Sequence, residues 1–85
     1  GSIYVFTSGY TAKIRCKENT AVGLRNAPRI GKIFHWFKNG TDVYVSKRTT
    51  QKQERGGKKD FWYYCYYVDE AQIYEGWIFG GDFEN

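Results

Sequence analysis

Apolar positions alternate along most of this chain, which is the period of a half-buried β-strand and not of a helix. Ile3–Phe6 reads as a short first strand or an extended arm, and "TAKIRC" puts Ala12, Ile14 and Cys16 on one face. In "TAVGLRNAPR" a short apolar piece gives way to Asn26-Ala27-Pro28, a turn or loop. "KIFHWF" places Ile33, His35 and Phe37 on one face and Phe34 and Trp36 on the other. Lys38–Thr41 carries the strongest hairpin signal, because Asn39-Gly40 suits the two positive φ values of a type I′ turn. Beyond it Val43 and Val45 face one way and Tyr44 the other. Gln51–Asp60 holds no apolar residue, so the long basic segment 47–60 is predicted to be a mobile loop. "FWYYCYYV" follows as the longest strand, "DEAQIYE" turns the chain, and "GWIFGGDF" closes it in a glycine bend. Five or six short strands with no helix beyond a single turn predict a small all-β barrel or sandwich.

The aromatic content sharpens this picture. Seventeen of 85 residues are Phe, Trp or Tyr, and six of them fall within Phe61–Tyr67. Each can bury roughly 150–250 Å², so the supply exceeds what a single small core needs and some rings belong on the surface. Pleat parity puts Tyr63, Cys65 and Tyr67 on one face and Trp62, Tyr64 and Tyr66 on the other, the second being the candidate outward row. Trp36 and Tyr44 also point out. Such a row either offers a stacking surface to a ligand or stabilises the sheet through cross-strand pairs.

Charge is unevenly spread. All thirteen Lys and Arg lie between Lys13 and Lys59, so residues 1–59 carry +10 and the remainder −6. This means either a basic patch for an anionic partner or two halves that attract each other, the simpler reading. Gly1-Ser2 reads as a cloning remnant, so the chain is expected to be one domain, residues 1–85, excised from a longer protein. No run of apolar residues is long enough to span a membrane. Two cysteines, Cys16 and Cys65, permit one disulfide or two buried thiols. With His35 as the only histidine there is no zinc pattern, no cofactor motif and no nucleophile–base pair, and no enzymatic activity is expected.

Three stretches resemble the bacterial SH3-like (SH3b) domains. "VGLRNAPR" is similar to the family's "LNVRSGPS", "IFHWFKNGTDVYV" to "VIGTLKKGTKVEV", and "WYYCYY" with "EGWIFGGDF" to "WYKVRYNGKTGWVxxxYL". Arg25, Pro28, Gly40, Trp62, Gly76 and Trp77 fall in register. His35, Trp36, Asn26-Ala27, Cys65 and the longer basic segment depart from the pattern. The resemblance implies an SH3-like barrel of five to seven strongly bent antiparallel strands. It also implies a monomeric, non-catalytic binding module of the cell envelope, periplasmic or secreted, that recognises peptidoglycan peptides or a protein partner. The resemblance places Tyr63, Cys65 and Tyr67 inward and Trp62, Tyr64 and Tyr66 outward, so the expected site is an aromatic groove beside the loop Asn26–Lys32, formed by Trp62, Tyr64 and Trp36 with polar contacts from Arg25 and Tyr74. The resemblance further places Trp77 partly under that loop. Arg25 is alternatively a structural partner for an acid beyond Asp60. Gly76 is expected to take a backbone conformation closed to other residues. Single-stranded nucleic acid is the second candidate ligand, since small barrels with exposed rings and basic loops bind it. Burial of the aromatic surface against a neighbouring domain is the third.

Overall fold

The computed structural model describes residues 2–85. The chain is all-β: among the described residues there are eight strands, β1 (Ile3–Lys13), β2 (Val22–Arg25), β3 (Ile33–Phe37), β4 (Asp42–Thr49), β5 (Gln53–Arg55), β6 (Lys58–Asp60), β7 (Trp62–Asp69) and β8 (Gln72–Phe79), then a single 3-10 turn over Gly80–Asp82. Six form one sheet in the order β1-β4-β7-β8-β2-β3, while β5 and β6 pair only with each other. All pairings are antiparallel.

The alternation read from the sequence fixes which side of each strand is covered. Val22 and Leu24, Phe37, Val43 and Val45, Cys65 and Ile78 join Ile14 in one buried cluster. Phe6 and Ala12 of β1 pack on the same cluster as Phe37 of β3, although β1 and β3 are the two ends of the sheet. The sheet is therefore curled until its ends share a core, as in a small barrel. Burying each large aliphatic or aromatic side chain in that core contributes about 1.5–3 kcal/mol.

Three expectations are corrected. Ile3–Phe6 is not a separate element: β1 is one long strand along β4, with a register shift between Val5 and Tyr10. Lys38–Thr41 is a tight turn, closed by the Thr41 N–H on the Lys38 carbonyl at 3.2 Å, but it joins strands that do not pair. Only Gly40 has a positive φ, of 86°, where a type I′ turn needs two. The turn docks instead on the end of β1, with the Gly40 N–H donating to the Ile14 carbonyl at 2.7 Å. The Cys16 N–H donates to the Asn39 Oδ1 at 2.9 Å.

The third correction concerns the basic segment 47–60. It is not a mobile loop: β4 runs on through Thr49, and β5 and β6 make a hairpin in which Arg55 faces Lys58. Gly56 and Gly57 have φ of 55° and 81°, the two positive values of a type I′ turn. This hairpin is held without aliphatic residues. Lys58 donates to the Gly81 carbonyl at 2.9 Å, and the guanidinium of Arg55 lies 5.1 Å from the Trp62 ring centroid.

Candidate functional site

Trp62 is the point where the expected groove fails. Pleat parity was read correctly, since Tyr63, Cys65 and Tyr67 contact the barrel core and Trp62 does not. Trp62 nevertheless has only 1% of its surface exposed, because the β5–β6 hairpin covers its outer side. Its indole N–H donates to the Gln53 Oε1 at 2.6 Å, its ring packs against Phe79 at 5.6 Å between centroids, and Arg25 and Arg55 lie within 5.9 and 5.1 Å of it. Trp62 is a structural residue of a second, smaller layer and is closed to ligands.

The outward row survives beyond it. Tyr64 pairs across the sheet with Trp77, and Tyr66 with Glu75 on one side and Tyr44 on the other. Tyr64 meets Trp77 edge-to-face at 5.2 Å and Tyr66 at 5.7 Å, and Tyr66 lies 6.1 Å from Tyr44. Lys47 faces Tyr64 in the β4–β7 register because of a shift between Val45 and Lys47, and its ammonium sits 4.6 Å over that ring. Burial first, then the Glu75 carboxylate and Tyr66, raise the Tyr64 pKa. The Tyr44 ring lies over Gly9, in the stretch of β1 where the register shifts: a Cβ there would fall 2.3 Å from that ring.

Arg25 does not pair with an acid. Its Nη1 donates to the Gly31 carbonyl at 3.0 Å, pinning the loop Asn26–Lys32 from beneath. Asn26 closes the same loop, accepting from the Lys32 N–H at 3.0 Å with its side chain and donating its own N–H to the Lys32 carbonyl at 3.0 Å. Arg29 is held at φ 68°, and Ile30 at the tip is 97% exposed. Arg25 is also the register partner of Trp77. The loop, Trp77, the start of β1 and the end of β4 thereby enclose a cleft of about 440 Å³, lined by Ile3, Pro28, Arg29, Thr49, Gln51 and Trp77 among others. This cleft lies beside the loop Asn26–Lys32. The ring lining it is Trp77, which the resemblance placed partly under that loop, and not the buried Trp62.

The remaining residues of the expected groove are dispersed. Trp36 is 58% exposed on the edge strand β3, opposite Gly23. Tyr74 instead lies against the core with His35 stacked on it at 4.0 Å and 18°. His35, Phe37, Tyr67 and Tyr74 form one packed group at the barrel rim.

The two halves of the chain are not joined by contact ion pairs either. Among the described residues the one salt bridge is Lys13–Asp42, at 2.9 Å, between register partners of β1 and β4. Cations pack instead on rings, with Arg48 3.9 Å over Phe61 and 4.9 Å over Tyr4. Cys16 and Cys65 are free thiols, and burial pushes the Cys65 thiol far up. No group of three or more His, Cys, Asp or Glu among the described residues could hold a metal ion, and no helix there is long and apolar enough to cross a membrane. No protein-family model, curated protein or solved structure matches the chain.

Proposed function

We propose that this chain is a non-catalytic binding module of a bacterial cell-envelope protein, related to the SH3-like domains its motifs resemble. Its ligand is an extended peptide, either a peptidoglycan stem or bridge peptide or a segment of a protein partner. The observation that carries this reading is the cleft between the loop Asn26–Lys32 and Trp77. It offers an indole wall, the Pro28 ring and the Arg29 cation, the mixture that orients a peptide plane and fixes a carboxylate. Its volume of about 440 Å³ lies in the range of small-ligand sites. The bonds from Arg25 and Asn26 hold the loop in place before binding, which lowers the entropy lost on association.

Chemical-shift mapping with purified peptidoglycan fragments tests the reading. Signals of Trp77, Arg29, Ile30 and Thr50 should move and saturate, and Arg29→Ala should weaken the response by roughly tenfold. Fragments and candidate peptides that leave those four positions still would remove the proposal.

A second reading has one observation in its favour. Tyr44, Tyr66 and Tyr64 form an outward row with Lys47 over Tyr64, a combination suited to stacking bases and contacting phosphates of a single strand. A salt titration of oligonucleotide binding decides it. Steep weakening with salt supports it, and no binding at low salt ends it.

A further inference from the structure

The segment following β1, the β5–β6 hairpin and the final 3-10 turn border another cleft, open to solvent, of about 600 Å³, lined by Arg15, Cys16, Arg55, Gly56, Lys58, Phe79 and Asp82. It shares no residue with the cleft at Trp77. Three cations and one carboxylate face it. None of the three has an acidic partner within salt-bridge distance among the described residues. Like charges brought together raise the energy of the fold unless an anion is present to offset them.

Two of the cations are held in position by contacts that leave their charge available. The Arg55 guanidinium lies over Trp62 and Phe79, at 5.1 and 5.8 Å from the ring centroids. Packing a guanidinium face on rings leaves its N–H edge free to donate. Lys58 spends one N–H on the Gly81 carbonyl at 2.9 Å, and an ammonium has three. Arg15 is exposed and makes no side-chain hydrogen bond or ion pair among the described residues, although its backbone N–H is fixed on the Asp82 carbonyl at 2.8 Å. Against these stands only the carboxylate of Asp82, which is half-buried. The excess is two positive charges, which matches a dianion better than a single carboxylate.

We propose that this cleft is an anion site for the phosphate group of a small phosphoester, gripped by Arg15 and Arg55 with Lys58 as the third donor. Arginine forks match the tetrahedral oxygens of phosphate, and the hairpin presents that of Arg55 already packed on the Trp62 and Phe79 rings. The site does not depend on the peptide reading. It would stand if the cleft at Trp77 were empty of function, and it can fail while that cleft binds.

Titration with inorganic pyrophosphate at low ionic strength, followed by amide chemical shifts, tests it. The signals of Arg15, Cys16, Gly56 and Lys58 should move together and saturate with a Kd on the order of 1 mM or below. Arg15→Gln should weaken binding roughly tenfold with no change in thermal midpoint, because that side chain supports nothing in the fold. Asp82→Asn should tighten binding by removing the competing charge. Shifts that fail to saturate, or that spread equally to Lys32, Lys38 and Lys52, mean ordinary counterion condensation and overturn the site. So does saturation that Arg15→Gln leaves unchanged.

Discussion

The indole N–H of Trp62 donates to the side-chain carbonyl of Gln53 at 2.6 Å, and this bond ties the β5–β6 hairpin to the outer face of the barrel. Gln53→Ala leaves a buried N–H without an acceptor, which costs about 1–3 kcal/mol. Denaturant unfolding should show that loss as a shifted midpoint. Trp62→Phe should likewise lower stability, through lost volume and a lost bond. It should leave binding at Trp77 and Arg29 intact, which separates a structural indole from the ligand-stacking one expected at this position.

Gly76 is needed for closeness and not for an unusual φ. Its backbone is not among those with positive φ, contrary to the expectation from the motif. A Cβ there would stand 2.6 Å from the Arg25 carbonyl oxygen and 2.9 Å from Leu24 Cγ. The nearest obstacle is the main chain of β2, which cannot swing aside as a side chain would. Gly76→Ala should therefore cost about 1–3 kcal/mol, read as a lowered thermal midpoint. It should also disturb the amide signals of the loop Asn26–Lys32, because Arg25 carries that loop.

What the sequence disclosed follows from the range of each signal. Pleat parity is local, so Tyr63, Cys65 and Tyr67 against the core, and Phe34, Trp36 and Tyr44 against solvent, were all legible. Strand partners are not local. The turn at Asn39-Gly40 was visible while the separation of β3 from β4 was not, because that depends on β1 claiming one side of β4 and β7 the other. The second layer was hidden for a different reason. Hydrophobic periodicity registers aliphatic and aromatic anchors, and the β5–β6 hairpin attaches through an amide, a guanidinium over rings and a lysine on a carbonyl. Its Gly56-Gly57 turn was the one local trace, and without an apolar flank it read as a flexible linker. Trp62 was misplaced in consequence.

Glu70 turns the β7–β8 hairpin at φ 53°, between the register partners Asp69 and Gln72. A side chain in the left-handed region costs about 1–2 kcal/mol, and glycine relieves that at an entropic cost of about 0.5–1 kcal/mol. Glu70→Gly should raise stability by about 0.5–1 kcal/mol, measured by denaturation at neutral pH. An unchanged or lowered midpoint would mean that the turn carries no strain.

Asp82 should make the protein less stable as pH rises out of the acid range. Burial raises its pKa above the ordinary carboxylate value, and the fields of Lys58, Arg55 and Arg25 only partly offset this. A group raised in the fold holds its proton more tightly there than in the unfolded chain. Its contribution is thus fully present below the unfolded value of 3.8 and is lost as pH climbs through the raised one. Asp82→Asn, which has no charge to bury, should match the parent at low pH and exceed it at neutrality. A stability difference that stays flat between those limits would contradict the assignment.

At the alkaline end the same linkage falls on Tyr63. Burial, the Asp60 carboxylate and the neighbouring Tyr10 push its pKa up to about 12, from an ordinary 10. The ring is packed between Phe6, stacked at 6.4 Å and 7°, and Phe83, edge-on at 5.6 Å. The unfolded chain ionises this group near 10 and the fold resists until about 12, so stability should decline with rising pH across that window. Tyr63→Phe keeps both ring contacts and removes the titration. Its stability should fall less steeply over the same interval, and its tyrosinate absorbance should lack the last-titrating step of the parent's eight tyrosines. If that late step persists in Tyr63→Phe, the resistant hydroxyl belongs to another tyrosine, and Tyr10, also raised by burial, is the one to replace next.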